Sequence, residues 1–232
     1  MRCSGPADIV LLSIMVTAKM AVSTVVGVGV QLGLAILARG GFGAFFGEPA
    51  LTALAVLTIV GTVAALATGG NLSSGEREDR ANRWVLIAFS FVGLGIAFLP
   101  ALTDRLDLWT LDGDPVRWLG DVLFAVGNVL RLWPVFVLGH RFSGLVAIQQ
   151  NHQLVTSGVY SHIRHPSYLG LIISTAGWAL AFRSVVGLLL TAALVPILVV
   201  RMNAEEALLT THFGAEYESY KRRTRRFVPG VY

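Results

Sequence analysis

The chain has 232 residues, of which 54% are hydrophobic and only 14% charged, and its mean hydropathy is +0.67. A soluble domain carries about a quarter of its residues charged, so water is not the main solvent of this protein. One cysteine, Cys3, leaves no internal disulfide and no cysteine-ligated metal site. The net charge of +4 does not point to nucleic acid, because the basic residues form no stripe interleaved with stacking aromatics. Their densest run, Lys221-Arg222-Arg223 with Arg225-Arg226, reads as a flank attracted to anionic lipid headgroups.

A spanning helix needs roughly 20 apolar residues, because its backbone must satisfy its own hydrogen bonds in hydrocarbon. In chain order the candidates are 20–38, extended on its N-terminal side by 9–18, then 49–69, 84–102, 118–138, and a pair at 168–182 and 185–203. The first stretch lacks the short core and small-residue cleavage site of a signal peptide and reads as a retained span. The last two form a helical hairpin with Arg183 and Ser184 at its turn. Within the first span, Gly27-x-Gly29-x3-Gly33 has no preceding strand and reads as small residues for helix packing, not as a dinucleotide loop.

The polar stretch Gly70 to Arg83 connects the second and third spans as a loop. Thr103 to Arg117, with Asp112-Gly113-Asp114-Pro115, is a turn-rich connection at the opposite surface. Arginine accumulation puts the C-terminus, Arg77, Arg80, Arg83, Arg141 and Arg164 on the cytoplasmic side, and Arg39, Arg105, Arg117 and Arg183 outside. Leu145 to Gln149 and Gln153 to Thr156 flank Gln150-Asn151-His152 and read as a short cytoplasmic hairpin or extended excursion, a roof for a pocket. The fold class is therefore all-α: a polytopic transmembrane bundle of five to six helices with a short cytoplasmic hairpin and a helical C-terminal region.

Two polar clusters stand at the mouths of apolar helices. One runs from His152 to Tyr160 and on through Arg164-His165-Pro166-Ser167-Tyr168-x-Gly170. Pro166 suits a first helical turn, and Gly170 permits close approach of backbone or ligand. The other is Arg201 with Glu205 and Glu206; Arg201 and Glu205 are four apart and share a helix face, either as a salt bridge or as opposite charges shown to a zwitterion. The plain alternatives are an interfacial aromatic belt with snorkelling cations for the first and a solvated helix end for the second. Asp121, Asn128 and Arg131 in the fourth span either line a cavity or pair with neighbouring helices. His140, His152, His162 and His165 offer no tight metal-ligand pattern with a carboxylate.

These blocks, with Arg201-x3-Glu205-Glu206-x2-Leu209 and Phe213-Gly214-x2-Tyr217-x2-Tyr220, resemble the isoprenylcysteine carboxyl methyltransferases over roughly residues 139–229. The resemblance divides the chain into N-terminal transmembrane helices, 1–138, and a methyltransferase catalytic region, 139–232. It implies an integral membrane enzyme that uses S-adenosyl-L-methionine to methylate a carboxylate or other nucleophile of a lipidic or prenylated acceptor. It further implies that His152, Gln153, Leu154, Val155, Tyr160, His165, Pro166, Ser167, Tyr168 and Glu205 line the cofactor pocket, that Gln149 contacts the cofactor, and that Arg201 orients the substrate. With arginine far more frequent than lysine, the expected setting is a bacterial inner membrane with the active site facing the cytoplasm. The rival readings are an NADPH-dependent sterol-type membrane reductase and a non-catalytic membrane scaffold. Gly158-Val159-Tyr160 lacks the paired tryptophans of such reductases, and Leu171 stands where they carry an acidic residue.

Overall fold

A computed structural model of the chain describes residues 6–67, 77–78, 84–138, 147–148 and 154–227. The elements are α1 (Pro6–Arg39), α2 (Phe42–Phe46), α3 (Pro49–Ala67), β1 (Arg77–Glu78), α4 (Trp84–Leu106), α5 (Asp114–Leu138), β2 (Ala147–Ile148), a 3-10 turn (Gly158–Ser161), α6 (Pro166–Ala181), α7 (Val185–Phe213) and α8 (Ala215–Arg223). Among the described residues, four segments are long and apolar enough to cross a membrane: Ala21–Arg39, Pro49–Ala67, Trp84–Leu106 and Val185–Phe213. The protein is a multi-pass integral membrane protein, and α5 and α6 complete its bundle. Their lower apolarity or length has a structural reason: α5 carries the charges that face inward, and α6 has 16 residues, about 24 Å at 1.5 Å per residue.

Among the described residues, six helices form a ring. α1 touches α3 and α4, α3 touches α5, α5 touches α6, α6 touches α7, and α7 returns to α4. The outside of the ring is apolar in helical register: Val122, Val126, Val129 and Trp133 on α5 and Val56, Ile59, Val60 and Val63 on α3 are all exposed, as suits a lipid-facing surface.

The closest seam is α5 against α6, and glycine makes it. A Cβ placed on Gly120 or Gly127 would collide with α6 backbone at Ala181 or Ser174, and one on Gly170 or Gly177 would collide with α5 backbone at Arg131 or Phe124. Gly120 and Gly127, like Gly170 and Gly177, are seven apart, so one stripe on each helix meets the other, the small-residue packing that substitutes for hydrophobic drive in lipid. The glycines singled out in α1 behave otherwise. A Cβ on Gly27, Gly29 or Gly33 would meet nothing within 4 Å, so among the described residues this stripe packs no helix.

At the end of the ring away from the site, Asp104 gathers the connections. Its carboxylate is buried and meets Arg39 Nε at 3.2 Å, Arg117 Nη2 at 2.9 Å and Arg183 Nε at 3.0 Å. Arg39, Arg117 and Arg183 therefore share one end, as the charge distribution predicts. The α6–α7 hairpin turns at Arg183, with φ of 53°, and Ser184, whose hydroxyl caps α7 by accepting from Gly187 N at 3.0 Å. Ala147 and Ile148 pair antiparallel with Glu78 and Arg77 from the polar connection, while the rest of the excursion up to Gln153 lies outside the described residues.

Candidate active site

α5, α6 and α7 bring their inner faces together at the other end of the ring, around a cavity of about 770 Å³. Leu154, Val155, Tyr160, His165, Pro166, Ser167, Tyr168, Arg201 and Glu205 all line it. Gln149, His152 and Gln153 lie outside the described residues.

Pro166 occupies the first turn of α6, where its missing N–H removes no helix bond, with His165 as the N-cap. In the same turn, Tyr168 meets α7. Its hydroxyl accepts from Arg201 Nε at 2.7 Å and donates to Glu205 Oε2 at 2.8 Å. The shared helix face of Arg201 and Glu205 is thus real, and a phenol from another helix stands between the two charges. The His165 and Tyr168 rings stack at 5.4 Å with 17° between planes, and His165 Nδ1 is 4.0 Å from Glu205 Oε2. With His165 and Arg201 buried, neither an aromatic belt nor a solvated helix end describes these clusters.

Glu205 and Glu206, adjacent in sequence, point to different tasks. The Glu205 side chain is 36% exposed and faces the cavity. Glu206 is buried, accepting from Arg164 Nε at 2.9 Å, His165 Nε2 at 3.1 Å and Arg226 Nη2 at 2.9 Å. This knot joins α6, α7 and the C-terminal segment. The segment itself runs alongside 162–165: Arg164 N donates to Arg225 O at 2.7 Å, His165 N to Arg226 O at 3.1 Å, and Arg225 N to His162 O at 3.0 Å. Of the basic terminal run, Arg226 is therefore turned inward and serves the site's frame.

α8 adds Tyr217 and Tyr220, both buried and both lining the cavity. Tyr220 Oη donates to Tyr160 O at 2.8 Å, which fixes the 3-10 turn against α8. Burial pushes the Tyr220 phenol up to about 12. Burial with the Glu205 charge raises Tyr160, and burial with the Glu206 and Glu205 charges raises Tyr217, beyond the ordinary tyrosine range.

The N-terminal helices complete the enclosure. Thr58 and Gly61 of α3, Phe89 and Ile96 of α4, and Phe124, Asn128 and Arg131 of α5 all face the cavity. Arg131, left open between lining and pairing by the sequence, lines it and lies within electrostatic reach of Tyr168 and Arg201. Ser167 Oγ donates to Arg131 O at 3.2 Å, tying the two helices at this level. Glu206 and Arg226 were not separable from their neighbours in sequence; the adjacent Glu-Glu pair was the only signal, and it does not say which carboxylate turns inward.

Residues 120–211 match the model of the isoprenylcysteine carboxyl methyltransferase (ICMT) family. Among curated relatives, the protein-S-isoprenylcysteine O-methyltransferase of Schizosaccharomyces pombe is 36% identical over 112 residues, 45% of this chain and 46% of the relative. Protein-S-isoprenylcysteine O-methyltransferase B of Arabidopsis thaliana is 30% identical over 139 residues, 59% of this chain and 66% of the relative. The chain thus spans about half to two thirds of the length of these relatives. A solved structure of the eukaryotic intramembrane Ras methyltransferase ICMT shares the fold, with a TM-score of 0.53 at 17% identity over 98% of this chain and 88% of that one. The segment that matches the isoprenylcysteine carboxyl methyltransferase family model, residues 120–211, holds both the His165–Tyr168 and the Arg201–Glu205 blocks of the cavity.

Proposed function

We propose that this chain is an integral membrane methyltransferase that takes its methyl group from S-adenosyl-L-methionine and delivers it to a carboxylate on a lipidic or prenylated acceptor held in the bundle. The observation that carries the reading is the Arg201–Tyr168–Glu205 chain of hydrogen bonds at the cavity, which sets a cationic side and an anionic side 2.7 and 2.8 Å from one phenol oxygen.

The residues present fit the cofactor. The stacked His165 and Tyr168 rings and the Tyr160 ring offer aromatic faces for a purine and for a sulfonium cation, which an aromatic face attracts. The Glu205 carboxylate, partly exposed, suits an ammonium or ribose hydroxyls, and Leu154 and Val155 cover an apolar edge. When bound, S-adenosyl-L-methionine supplies an activated methyl group on a positively charged sulfur.

The chain's own contribution is alignment and exclusion of water. Methyl transfer requires acceptor oxygen, methyl carbon and leaving sulfur in line, so fixed geometry supplies much of the acceleration. Arg201, buried and held by Tyr168, together with Arg131 presents guanidinium groups to the acceptor's carboxylate from α7 and α5. Glu206 holds His165 and Arg164 in place without facing the acceptor. Enclosure by six helices keeps water from the charged acceptor, which strengthens these interactions. The site faces the cytoplasm in this reading, from the basic C-terminal run, and a bacterial inner membrane fits the arginine-rich composition.

A dinucleotide cofactor fits less well, because it brings several phosphates. Arg164 and Arg226 are both engaged with Glu206, Arg131 and Arg201 are assigned to the acceptor in this reading, and the Glu205 carboxylate that faces the cavity would repel phosphates. The test is calorimetry of the purified protein with S-adenosylhomocysteine and, separately, NADPH. Binding of the first alone supports the reading, and His165→Ala or Tyr168→Ala should weaken it in a folded protein. Arg201→Ala should spare that binding while lowering transfer to a prenylcysteine analogue. Binding of NADPH alone would overturn the assignment.

A further inference from the structure

α7 has 29 residues, about 43 Å at 1.5 Å per residue against about 30 Å of bilayer hydrocarbon, and its apolar run ends at Val200. Its last turns and α8 therefore emerge at headgroup level, and there the basic terminal run divides by face. Thr224 and Phe227 are buried, Arg226 is turned to Glu206, and Arg222, Arg223 and Arg225 are exposed. Among the described residues no carboxylate pairs with these three, whereas Lys221 has Glu218 at 3.3 Å and Arg226 has Glu206 at 2.9 Å. Like charges this close repel one another, so the three outward cations call for counter-anions from outside the chain.

The inward side of this run reaches the cavity by two routes. Along the backbone, Arg225 N donates to His162 O at 3.0 Å, Arg164 N to Arg225 O at 2.7 Å and His165 N to Arg226 O at 3.1 Å, and the Arg226 and His165 side chains meet on the one Glu206 carboxylate. Through α8, the Arg223 guanidinium lies 5.9 Å over the Tyr220 ring, and Tyr220 Oη donates to Tyr160 O at 2.8 Å. His165 and Tyr160 both line the cavity. Residues 224–227 thus form a strap whose outer side carries charge and whose inner side holds two walls of the pocket.

We propose that anionic lipid headgroups on Arg222, Arg223 and Arg225 hold residues 224–227 against 162–165, and that this tightens cofactor binding; the second step rests on the cofactor reading above. Charge complementarity selects the occupant. Guanidiniums match phosphate oxygens in pairs, and each basic residue close to an anionic bilayer surface adds attraction that fades within a Debye length. Headgroups of the bilayer that the chain already spans stand at this level at high local concentration, as dissolved anions do not. Lipid that favours the closed strap favours the ordered pocket, so the coupling is reciprocal, and bound cofactor should also retain anionic lipid.

The experiment titrates the full chain with S-adenosylhomocysteine in nanodiscs of phosphatidylcholine, alone or mixed with phosphatidylglycerol. This ligand is a zwitterion without net charge, so a charged bilayer does not concentrate it, and a change in affinity reports on the protein. Affinity should rise at least about fivefold with phosphatidylglycerol, the low end of usual coupling between sites. The gain should collapse in about 1 M salt, where screening acts within about 3 Å, and a gain that survives would be no charge effect and would overturn the proposal. Arg222→Gln combined with Arg225→Gln, neither of which lines the cavity, should lose most of the gain and melt like wild type. Amide hydrogen exchange of peptides covering 162–165 and 224–227 gives a readout without the ligand: it should slow in the anionic bilayer for wild type and not for the double variant. Equal affinity and equal exchange in both bilayers would overturn the proposal and leave the cofactor assignment standing. Slowed exchange with equal affinity would overturn the coupling to the pocket. Slowed exchange with S-adenosylhomocysteine bound in neither bilayer would overturn the cofactor assignment and leave the lipid-held strap. A gain that persists in the double variant would overturn the assignment to these arginines.

Discussion

Replacing Glu206 and Glu205 one at a time separates two carboxylates that the sequence presents as a pair. The Glu206 side chain is 5% exposed and takes hydrogen bonds from Arg164, His165 and Arg226. Glu206→Ala removes the shared carboxylate and leaves the partly buried Arg164 and Arg226 guanidiniums side by side, with the Lys221 and Thr224 oxygens and Asn203 Oδ1 among their remaining polar partners. Breaking a buried ion pair from one side costs about 3–5 kcal/mol, and the hydrogen bonds that Glu206 accepts tie α6 and α7 to the C-terminal segment. Glu205 is 36% exposed and gives up one hydrogen bond, from Tyr168. Solvent replaces that partner, so Glu205→Ala should cost about 1 kcal/mol or less. Thermal unfolding in detergent should show Glu206→Ala melting well below wild type and Glu205→Ala close to it. Titration with S-adenosylhomocysteine should give the opposite ranking among folded samples, with Glu205→Ala losing affinity directly. Equal melting of the two variants would refute the division of roles, as would a Glu206→Ala protein as stable as wild type.

Gly127→Val should push α5 from α6, because a Cβ there already collides with Ser174 backbone, and overpacking of about 1–3 kcal/mol or more should appear as a lowered melting temperature; the same change at Gly29, where nothing lies within 4 Å, should leave it unchanged. Asp121 is buried with both carboxylate oxygens without a hydrogen-bond partner among the described residues, so Asp121→Asn should raise thermal stability by about 1 kcal/mol with no loss of cofactor affinity; a destabilised variant would show that the carboxylate has a function in the fold. Tyr220, raised to about 12 by burial, holds its proton longer in the folded protein than in the unfolded chain. Its contribution is therefore complete below pH of about 10 and lost as pH rises toward 12, which phenolate absorbance and melting measured together across that window should show; ionisation near pH 10 in folded protein would contradict its burial.

The amino-acid sequence by itself determined the solvent, the spans and several of the residues that line the cavity. Hydrocarbon leaves a backbone no partner but itself, so spanning runs are long and apolar, and the run boundaries at 49, 84 and 185 coincide with helix starts. Polar and aromatic residues placed against such runs carry a cost unless they are used, which made His165, Tyr168, Arg201 and Glu205 legible before their contacts were known. Helical spacing also put Arg201 and Glu205 on one face.

Spacing within a helix does not say what that face meets, and this is where tertiary structure decided. The glycines of α1 and those of α5 look alike as small residues in apolar runs, yet among the described residues only the latter pack against a neighbouring helix. Glu205 and Glu206 lie about 100° apart around α7, so packing against α6 sends one to the cavity and the other into the Arg164–Arg226 knot. Phe124 and Trp178, fifty-four positions apart, meet at the lining of one cavity because two glycine stripes let their helices close to backbone contact. Contacts of that separation depend on how whole helices pack, and no local pattern of the chain encodes them.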